Sequence, residues 1–243
     1  MVPRVLALLP PQHPAGRAPR LLLVVAAPGE ALAVSRAFGK PPPGEDWQLV
    51  QLAPRVDLIR TGVGKANAAG GTGAFLARKE HGAVLNLGVA GTYADSVGTP
   101  RLAIGSVLVA SRHLLADEGV QTPDGFVPLS TVGFATGLAG DSVEADPAML
   151  AALAATGWPQ APIATVSACS GTNAQAARIA ASTGAWAEAM EGAGVALVAA
   201  RLGVHYAEVR VISNTTGDRE HQRWDLGAAL SRLTEICSVR HDR

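Results

Sequence analysis

The alternation of apolar runs with helical segments of small residues limits the fold of this chain most strongly. Four continuous apolar runs end at glycine or polar turns, namely RLLLVVAAP, AVLNLGVAG, APIATVSACSG and HYAEVRVIS. Such runs are typical of strands that are buried on both faces of a sheet. Segments with helical spacing, such as GEALAVSRAF and TNAQAARIAASTG, lie between them. The pattern predicts an α/β fold in which a mostly parallel sheet carries helices on both faces.

The same pattern predicts one domain. We find no internal repeat and no linker that could separate two domains, so residues 20–243 form the predicted domain and residues 1–19 a loose N-terminal extension. Residues 117–145 are rich in Gly, Pro, Asp and Thr and predict an irregular excursion. Asp146 is expected to cap the helix that begins with Pro147. AWAEAMEGAGVALVAARLG predicts a long helix after a short apolar approach.

Composition and charge exclude several classes of partner. Acidic and basic residues number 20 each, so a formal net charge of zero gives no electrostatic reason to expect nucleic acid or an anionic membrane as partner. Cys169 and Cys237 lack CxxC spacing and the six histidines form no HxxxH pair, so we predict no metal, no cofactor and no disulfide. No apolar run reaches the roughly 18 residues of a membrane span, and MVPRVLALLPP is not a convincing signal peptide. We expect a cytoplasmic protein.

Two glycine-containing turns follow predicted strands. TGVGKANAAGG contains Gly62 and Gly64 but lacks the GxGxxG spacing of a dinucleotide fingerprint and the context of a Walker lysine. NLGVAGTY contains Gly88 and Gly91, which would let a ligand approach the backbone closely. Two interpretations stay open for each turn: it is a tight connection required by chain geometry, or its backbone amides face a ligand.

Two glutamates occupy unusual positions. Glu191 lies in the predicted long helix among apolar and small residues, where a carboxylate is costly unless it is paired or bound. The alternative is an exposed glutamate on a solvent face beside Glu188. Glu30 directly follows the first predicted strand, a position that favours catalysis, although the helix dipole also favours a carboxylate in a first helical turn.

The segment EVRVISNTTGDREHQRW predicts a buried strand that runs into a polar loop. The loop carries Ser213, Asn214, Asp218 and Arg219. Polar residues at the carboxyl end of a buried strand are where α/β proteins place their chemistry. This position makes Asn214 a candidate for ligand binding.

Four motifs occur in a familiar order. TGVGKANAA, NLGVAG, EAMEGAGVALVAA and VRVISN, spread over residues 20–233, together resemble the purine nucleoside phosphorylase and nucleosidase superfamily. Within it, ISNTTGDRE followed by Trp224, with ADEGVQTPDGF earlier, is most similar to the futalosine hydrolase family. The resemblance implies a single-domain, phosphorylase/hydrolase-like three-layer α/β/α sandwich with a mixed central sheet, assembled as a dimer or higher homo-oligomer. It also implies hydrolysis of the N-glycosidic bond of futalosine in alternative menaquinone biosynthesis, with release of hypoxanthine and dehypoxanthine futalosine.

The resemblance implies roles for individual residues as well. Glu191 would hold the ribose hydroxyls with Met190 against the sugar face, and Glu30 would orient or deprotonate the attacking water. The base loop SACSGTNA lacks the aromatic residue that related nucleosidases stack on the purine. The other expected substrate contacts are Gly88 beside the ligand, the backbone of Ser170, Gly171 and Thr172 along the base, and Arg219 or Arg112 at the distal carboxylate.

Asn214 stands where relatives that cleave 6-aminopurines carry aspartate. A side-chain amide can donate a hydrogen bond to N7 or to a carbonyl at C6, so Asn214 suits a 6-oxopurine such as hypoxanthine. A site built for one exocyclic group rejects the other, because buried polar partners would be left unpaired. Asparagine cannot act as a general acid. Asp218 is either a neighbour that assists the leaving group or a cap for the closing segment.

Asn86 bears on the choice between hydrolysis and phosphorolysis. Hexameric-type phosphorylases carry at this position an arginine that grips phosphate, so its absence makes water the expected nucleophile. Val89 replaces the serine or threonine of many nucleosidases, which removes a side-chain contact to phosphate or ribose. Three alternatives remain. Asn214 disfavours a methylthioadenosine/adenosylhomocysteine nucleosidase, Asn86 disfavours a 6-oxopurine nucleoside phosphorylase, and the presence of Glu30 and Glu191 disfavours a non-catalytic nucleoside-binding protein.

Overall fold

The apolar runs form strands and the small-residue segments form helices in the computed structural model, which describes residues 20–134 and 140–238. The strands are β1 (Arg20–Val25), β2 (Leu49–Ala53), β3 (Val56–Arg60), β4 (His81–Thr92), β5 (Val107–Leu115), β6 (Gly119–Thr122), β7 (Gly125–Pro128), β8 (Ser142–Glu144), β9 (Gln160–Thr165), β10 (Ala187–Ala189) and β11 (His205–Thr215). The helices are α1 (Pro28–Ala37), α2 (Lys65–Leu76), α3 (Pro147–Ala154), α4 (Asn173–Thr183), α5 (Gly192–Arg201) and α6 (Leu226–Cys237). The N-terminal extension predicted for residues 1–19 lies outside the described residues.

Within residues 20–134 and 140–238, nine strands form one sheet in the order β10-β9-β5-β11-β4-β1-β3-β2, with β8 paired to β5. The central strands β11, β4, β1 and β3 are parallel, whereas β5 is antiparallel to β11 and β2 is antiparallel to β3. The sheet is therefore mixed, as the family resemblance implies, with more antiparallel pairing than the alternation of elements alone predicts. β10 pairs with both β9 and β4, so this edge of the sheet folds back onto the central strand.

Apolar side chains of the central strands alternate between two helical layers, because successive residues of a strand point to opposite faces. Leu21 and Leu23 of β1 pack with residues of α1, α3 and α6, whereas Leu22 and Val24 pack with residues of α2 and α5. The predicted three-layer α/β/α sandwich is confirmed. Within the two described ranges, no helix is long and apolar enough to cross a membrane.

The segment predicted as an irregular excursion contains short strands. β6 and β7 form a hairpin with Gly119 opposite Pro128, β8 pairs with β5, and residues 135–139 lie outside the described part. Pairing between neighbouring segments creates these strands, although their composition has weak strand propensity. The predicted cap of α3 is confirmed, because Oδ1 of Asp146 accepts hydrogen bonds at 3.0 Å from the second and third residues of the helix, Ala148 and Met149.

The long helix predicted through AWAEAMEGAGVALVAARLG is wrong at its start. Ala187–Ala189 form β10 and α5 begins only at Gly192, so Glu191 is the N-cap of the helix and does not lie in its interior. A short apolar run does not distinguish a buried strand from a buried helix, and pairing with β9 and β4 selects the strand here. β4 and β11 also continue through the predicted glycine and polar loops, as far as Thr92 and Thr215.

A buried ion cluster ties the amino-terminal parts of three strands together. Asp57 of β3 accepts hydrogen bonds of 2.5 and 2.7 Å from Arg20 of β1, and Nε2 of His81 of β4 lies 2.9 Å from its carboxylate. Burial by itself would raise the pKa of the Asp57 carboxyl. The hydrogen bonds from His81 and Arg20 more than offset burial, so this pKa lies below its ordinary value.

We expect Asp57→Asn to lower the free energy of unfolding by about 1–3 kcal/mol, because it leaves His81 and the partly exposed Arg20 without a charged acceptor. The folded pKa lies below the unfolded value, so this contribution is fully present above the ordinary value of 3.8 and is lost as pH falls through the folded pKa. Urea unfolding at neutral and acidic pH measures it. Asp46→Asn is the matched control, since Asp46 is 56% exposed and its ion pair with Arg60 should contribute about 1 kcal/mol or less. Equal losses in both variants would contradict the expectation.

Candidate active site

The residues expected to act on a substrate gather around the carboxyl end of β4. β4 lies between β1 and β11 and runs parallel to both, so residues that follow or end these strands meet at one edge of the sheet. Glu30 lies in the first turn of α1, directly after β1. Asn214 of β11 lies opposite Gly91 of β4, and Glu188 of β10 pairs with the same glycine from the other side.

Glu30 is buried, and three backbone amides hold its carboxylate. Oε2 accepts hydrogen bonds from Ala26 at 3.0 Å and Ala27 at 2.9 Å, and Oε1 accepts one from Val89 at 2.9 Å. Glu30 therefore stabilises the start of α1 and also faces β4. A Cβ at Gly88 would overlap the Glu30 carboxylate. Gly88 was expected to make room for a ligand, and it makes room for this side chain.

Glu191 is 5% exposed, so the alternative of an exposed glutamate is wrong, and Glu188 is buried as well. Oε1 of Glu191 accepts a hydrogen bond from the backbone amide of Gly64 at 3.1 Å, and Oε2 lies 3.3 Å from Nη1 of Arg210. Burial raises the pKa of the Glu191 carboxyl, and the positive charge of Arg210 opposes this rise only in part. The TGVGK turn thus directs a backbone amide at a carboxylate.

Arg210 is the site residue that the sequence analysis missed. It is 1% exposed, its Nε donates to Oε1 of Glu208 at 2.7 Å, and its Nη2 donates to Oδ1 of Asn86 at 2.5 Å. A signal for this pair exists in the sequence. Glu208 and Arg210 are two residues apart in residues 207–212, which are otherwise apolar, so they point to the same face, and buried charges are normally paired.

Asn214 is buried at the end of β11 beside Gly91. Its Oδ1 accepts a hydrogen bond from Oγ of Ser213 at 2.8 Å, and its Nδ2 donates to the carbonyl of Thr215 at 3.0 Å. A Cβ at Gly91 would lie 2.8 Å from Nδ2 of Asn214, so this glycine makes room for the amide. Asn214 lies within the strand, not in the predicted loop, after a register shift that begins at Ile212. Such irregularities re-aim side chains.

The segment expected to line a base, Ser170–Thr172, is firmly anchored. The backbone amide and Oγ of Ser170 donate to Glu188 at 2.8 and 2.6 Å, and the hydroxyl of Tyr93 donates to the same carboxylate at 2.7 Å. Nε2 of Gln222 donates to the carbonyl of Ser170 at 2.9 Å. Ser170 is buried and its backbone amide is already used by Glu188, so this amide is not available to bind a base as expected.

Of the two arginines considered for a distal carboxylate, only Arg219 contacts the Ser170–Thr172 segment. Its backbone amide donates to the carbonyl of Gly171 at 3.1 Å, and its guanidinium lies 4.9 Å from the ring centre of Trp224. Arg112 lines a separate cavity that includes Phe126. The guanidinium of Arg219 also donates to Oε1 of Gln222 at 2.9 Å, so Arg219 is next to this segment and Arg112 is apart from it.

Asp218 caps α4 and not the closing segment. Its Oδ1 accepts a hydrogen bond from the backbone amide of Asn173 at 2.8 Å, and its Oδ2 accepts one from Nδ2 of the same residue at 2.6 Å. Thr172 adds a second cap, because its Oγ1 accepts a hydrogen bond from the amide of Gln175 at 3.1 Å. Both oxygens of Asp218 are thus directed at the start of α4, which explains its presence without a role in catalysis.

An open cavity of about 700 Å³ is lined by Met190 together with Gly64, Lys65, Asp117 and Ser167. Met190 is therefore next to open volume. Nζ of Lys65 lies 2.5 Å from Asp117. Burial raises the pKa of the Asp117 carboxyl, but hydrogen bonds from Lys65 and Ser167 more than offset this and lower it.

The buried carboxylates surround a cation and do not form a metal site. Glu191 and Glu208 both form ion pairs with Arg210. In the part of the chain that the structure describes, no group of three or more His, Cys, Asp and Glu side chains is arranged to hold a metal ion.

Comparison with known proteins identifies relatives along nearly the whole described chain. The profile of the Phosphorylase superfamily matches residues 20–238. The futalosine hydrolase of Streptomyces coelicolor is 38% identical over 226 residues, which cover 88% of this chain and 92% of that protein. The futalosine hydrolase of Thermus thermophilus is 34% identical over 178 residues, which cover 72% of this chain and 76% of that protein.

Solved structures share the fold at low sequence identity. The native structure of Helicobacter pylori futalosine hydrolase has a TM-score of 0.70 at 19% identity and covers 90% of this chain and 95% of its own. A 5'-methylthioadenosine/S-adenosyl homocysteine nucleosidase from the same organism, complexed with a substituted pyrrolidin-3-ol, has a TM-score of 0.70 at 18% identity and the same coverage. At such identities these structures show the fold alone.

Proposed function

Because the chain belongs to the Phosphorylase superfamily, we propose that it hydrolyses the N-glycosidic bond of futalosine. The products are hypoxanthine and dehypoxanthine futalosine, and the step belongs to alternative menaquinone biosynthesis. The relatives confirm the predicted enzyme class, an N-glycosyl hydrolase that acts on a small nucleoside. Assembly into a homo-oligomer, a cytoplasmic location and the single domain over residues 20–243 stay predictions.

The observation that carries the N-glycosidic cleavage is the charge balance around Arg210, and the futalosine hydrolases that match the chain carry the choice of substrate. The buried Arg210 forms ion pairs with Glu208 and Glu191, and Glu30 is close enough to act on it electrostatically. Three carboxylates surround one guanidinium, so the site stabilises a positive charge that develops on a bound ligand. N-glycosidic cleavage builds positive charge on the sugar in an oxocarbenium-like transition state, and fixed negative charges next to it lower the barrier.

The same balance supports water rather than phosphate as the nucleophile. Asn86 occupies the position at which phosphorylases carry the arginine that binds phosphate. Its Oδ1 accepts a hydrogen bond from Nη2 of Arg210. A phosphate dianion would therefore meet a guanidinium that carboxylates already neutralise. Val89 offers only its backbone amide, which donates to Glu30. Glu30 is the group that orients or deprotonates the water.

The sugar and base contacts follow from the positions of three side chains. Glu191 accepts hydrogen bonds from the ribose hydroxyls, with Met190 along the open cavity against the sugar. Oγ of Ser213 donates to Oδ1 of Asn214, so Nδ2 is the group of Asn214 that remains to donate to N7 or O6 of a 6-oxopurine. The departing base is stabilised by this hydrogen bond and not by proton transfer, since an amide is not an acid. Arg219 is the proposed partner of the distal carboxylate.

Chromatography of base release tests the proposal. Purified enzyme is incubated with futalosine, inosine and methylthioadenosine, each with and without phosphate, and hypoxanthine and adenine are quantified. We expect hypoxanthine from futalosine at the same rate in both buffers. Asn214→Asp should reduce that rate by about 10–100-fold, because a buried acceptor then faces O6 of the base.

Other outcomes of this assay would identify the alternatives. Adenine from methylthioadenosine would indicate the nucleosidase that acts on 6-aminopurines, and a requirement for phosphate would indicate a phosphorylase. Binding of nucleosides without any base release would indicate a non-catalytic binding protein. Each of these results would overturn the proposal.

A further inference from the structure

A chain of buried charged groups runs beneath the candidate site and reaches the proposed ribose ligand. Nδ1 of His113 on β5 lies 2.8 Å from Oε2 of Glu208, and Oε1 of Glu208 accepts a 2.7 Å hydrogen bond from Nε of Arg210. Nη1 of Arg210 in turn lies 3.3 Å from Oε2 of Glu191. His113 and Glu208 are completely buried, so they act only through the groups that they contact.

The Glu208 carboxylate packs against Gly192, the residue that directly follows Glu191. A Cβ at Gly192, the first residue of α5, would overlap the carboxylate of Glu208. The hydroxyl of Tyr206 donates to the carbonyl of Gly192 at 3.0 Å, and the Tyr206 ring packs edge-on against His113 with centroids 4.6 Å apart. The buried charges therefore connect β5 and β11 to the N-terminus of α5.

We propose that Glu208, oriented by His113, is a positioning residue that keeps Arg210 from closing onto Glu191 and so leaves the Glu191 carboxylate free to hold the ribose. The inference rests on the proposed function, because it assigns Glu191 to the sugar.

The geometry of the guanidinium supports this role. The donors of arginine are fixed in one plane, so two anchored nitrogens determine where the third points. Glu208 holds Nε at 2.7 Å and Asn86 holds Nη2 at 2.5 Å, and the contact of Nη1 with Glu191 is longer, at 3.3 Å. Arg210 thus forms its close ion pair with Glu208 and a loose one with Glu191.

Charge supports the same division of roles. Burial would raise the pKa of the Glu208 carboxyl, but Arg210 and His113 more than offset burial and lower it to about 2. Glu208 is therefore a permanent negative charge that balances Arg210. Without it, Glu191 becomes the strongest remaining counter-ion, the two groups close up, and the sugar loses an acceptor.

A double-mutant cycle with Glu208→Gln and Glu191→Gln tests the inference on futalosine hydrolysis. Glutamine preserves the size of Glu208 and removes its charge. We expect Glu208→Gln to lower kcat/KM by about 10-fold or more in the otherwise unchanged enzyme, and by less than about 2-fold when Glu191 is already glutamine. The same factor in both backgrounds would mean a merely structural role and would overturn the inference.

A second measurement does not depend on activity. The pKa of Glu191 is followed by carbon-13 NMR of glutamate-labelled enzyme, with the signal assigned through Glu191→Gln. Glu208→Gln should lower this pKa, because the negative charge of Glu208 contributes to raising it and Arg210 then moves closer. An unchanged pKa would overturn the inference even if the enzyme hydrolyses futalosine. If no substrate is hydrolysed, the proposed function fails and the NMR result alone decides the positioning.

Asp57→Asn is the matched control, since Asp57 is also a buried carboxylate held by an arginine and a histidine. Asp57→Asn should leave the pKa of Glu191 unchanged. It should also change kcat/KM by the same factor with and without Glu191→Gln. His113→Gln serves if Glu208→Gln does not fold. This variant removes the contact of His113 with Oε2 of Glu208, on the side of the carboxylate opposite Arg210. It should also lower the pKa of Glu191, by a smaller amount than Glu208→Gln does. No shift in that variant, measured on folded protein, would equally overturn the proposal.

Discussion

Glu30→Gln is expected to lower kcat for hypoxanthine release by about 10²–10⁴-fold, the range that positioned acid-base groups contribute. Glutamine keeps the length of the side chain, but it has one acceptor oxygen where the carboxylate has two. Oε1 faces Val89 and Oε2 faces Ala26 and Ala27. One of these sets of amides therefore loses its acceptor, which should cost about 1–3 kcal/mol of stability.

Rate and stability have to be measured together, because the same carboxylate serves both. Asp146→Ala is the matched control, since Asp146 also accepts two backbone amides at the start of a helix and caps α3, away from the proposed site. It should lower the melting temperature with kcat unchanged. Binding of substrate to Glu30→Gln should persist by calorimetry. If Glu30→Gln releases hypoxanthine at the normal rate, Glu30 is not the residue that activates water.

Arg210→Leu is expected to lower the free energy of unfolding by about 3–5 kcal/mol, because it leaves Glu208 and Glu191 buried without their cation. The pKa of the Glu208 carboxyl, held at about 2 by Arg210 and His113 against the effect of burial, should rise strongly. Glu208 then takes up a proton in the folded state. The loss of stability should therefore be largest at neutral pH and smaller in acid. Urea unfolding across this pH range measures both effects.

Two comparisons separate loss of charge balance from loss of packing. The double variant Arg210→Leu with Glu208→Leu should recover part of the lost stability, since an apolar pair replaces a broken ion pair. Arg232→Leu, which breaks an exposed ion pair with Glu235 on α6, should change stability by about 0.5 kcal/mol or less. A double variant that is less stable than Arg210→Leu alone would contradict this account of the buried charges.

Local sequence patterns predicted most of the central strands and one helix cap. The continuous apolar runs identify β1, β4, β9 and β11, because strands buried on both faces need no alternation, and Asp146 was recognised as a cap from its type and place. β10 was not predicted as a strand, since three residues are too short a pattern to distinguish a strand from a helix until a pairing partner selects one. The hairpin of β6 and β7 was not predicted for the same reason.

The sequence by itself determined the superfamily, the three-layer architecture and the candidates Glu30, Glu191 and Asn214, because motif order and apolar period are properties of neighbouring residues. Only the tertiary structure decided their partners. Arg210 is hydrogen-bonded to Asn86, which is 124 residues away in the chain, and Glu191 accepts a hydrogen bond from the amide of Gly64, which is 127 residues away. Whether a buried charge is balanced, and by which group, depends on strands that meet in the sheet and are distant in the chain. The sign of the charge around the sugar is therefore a property of the assembled fold.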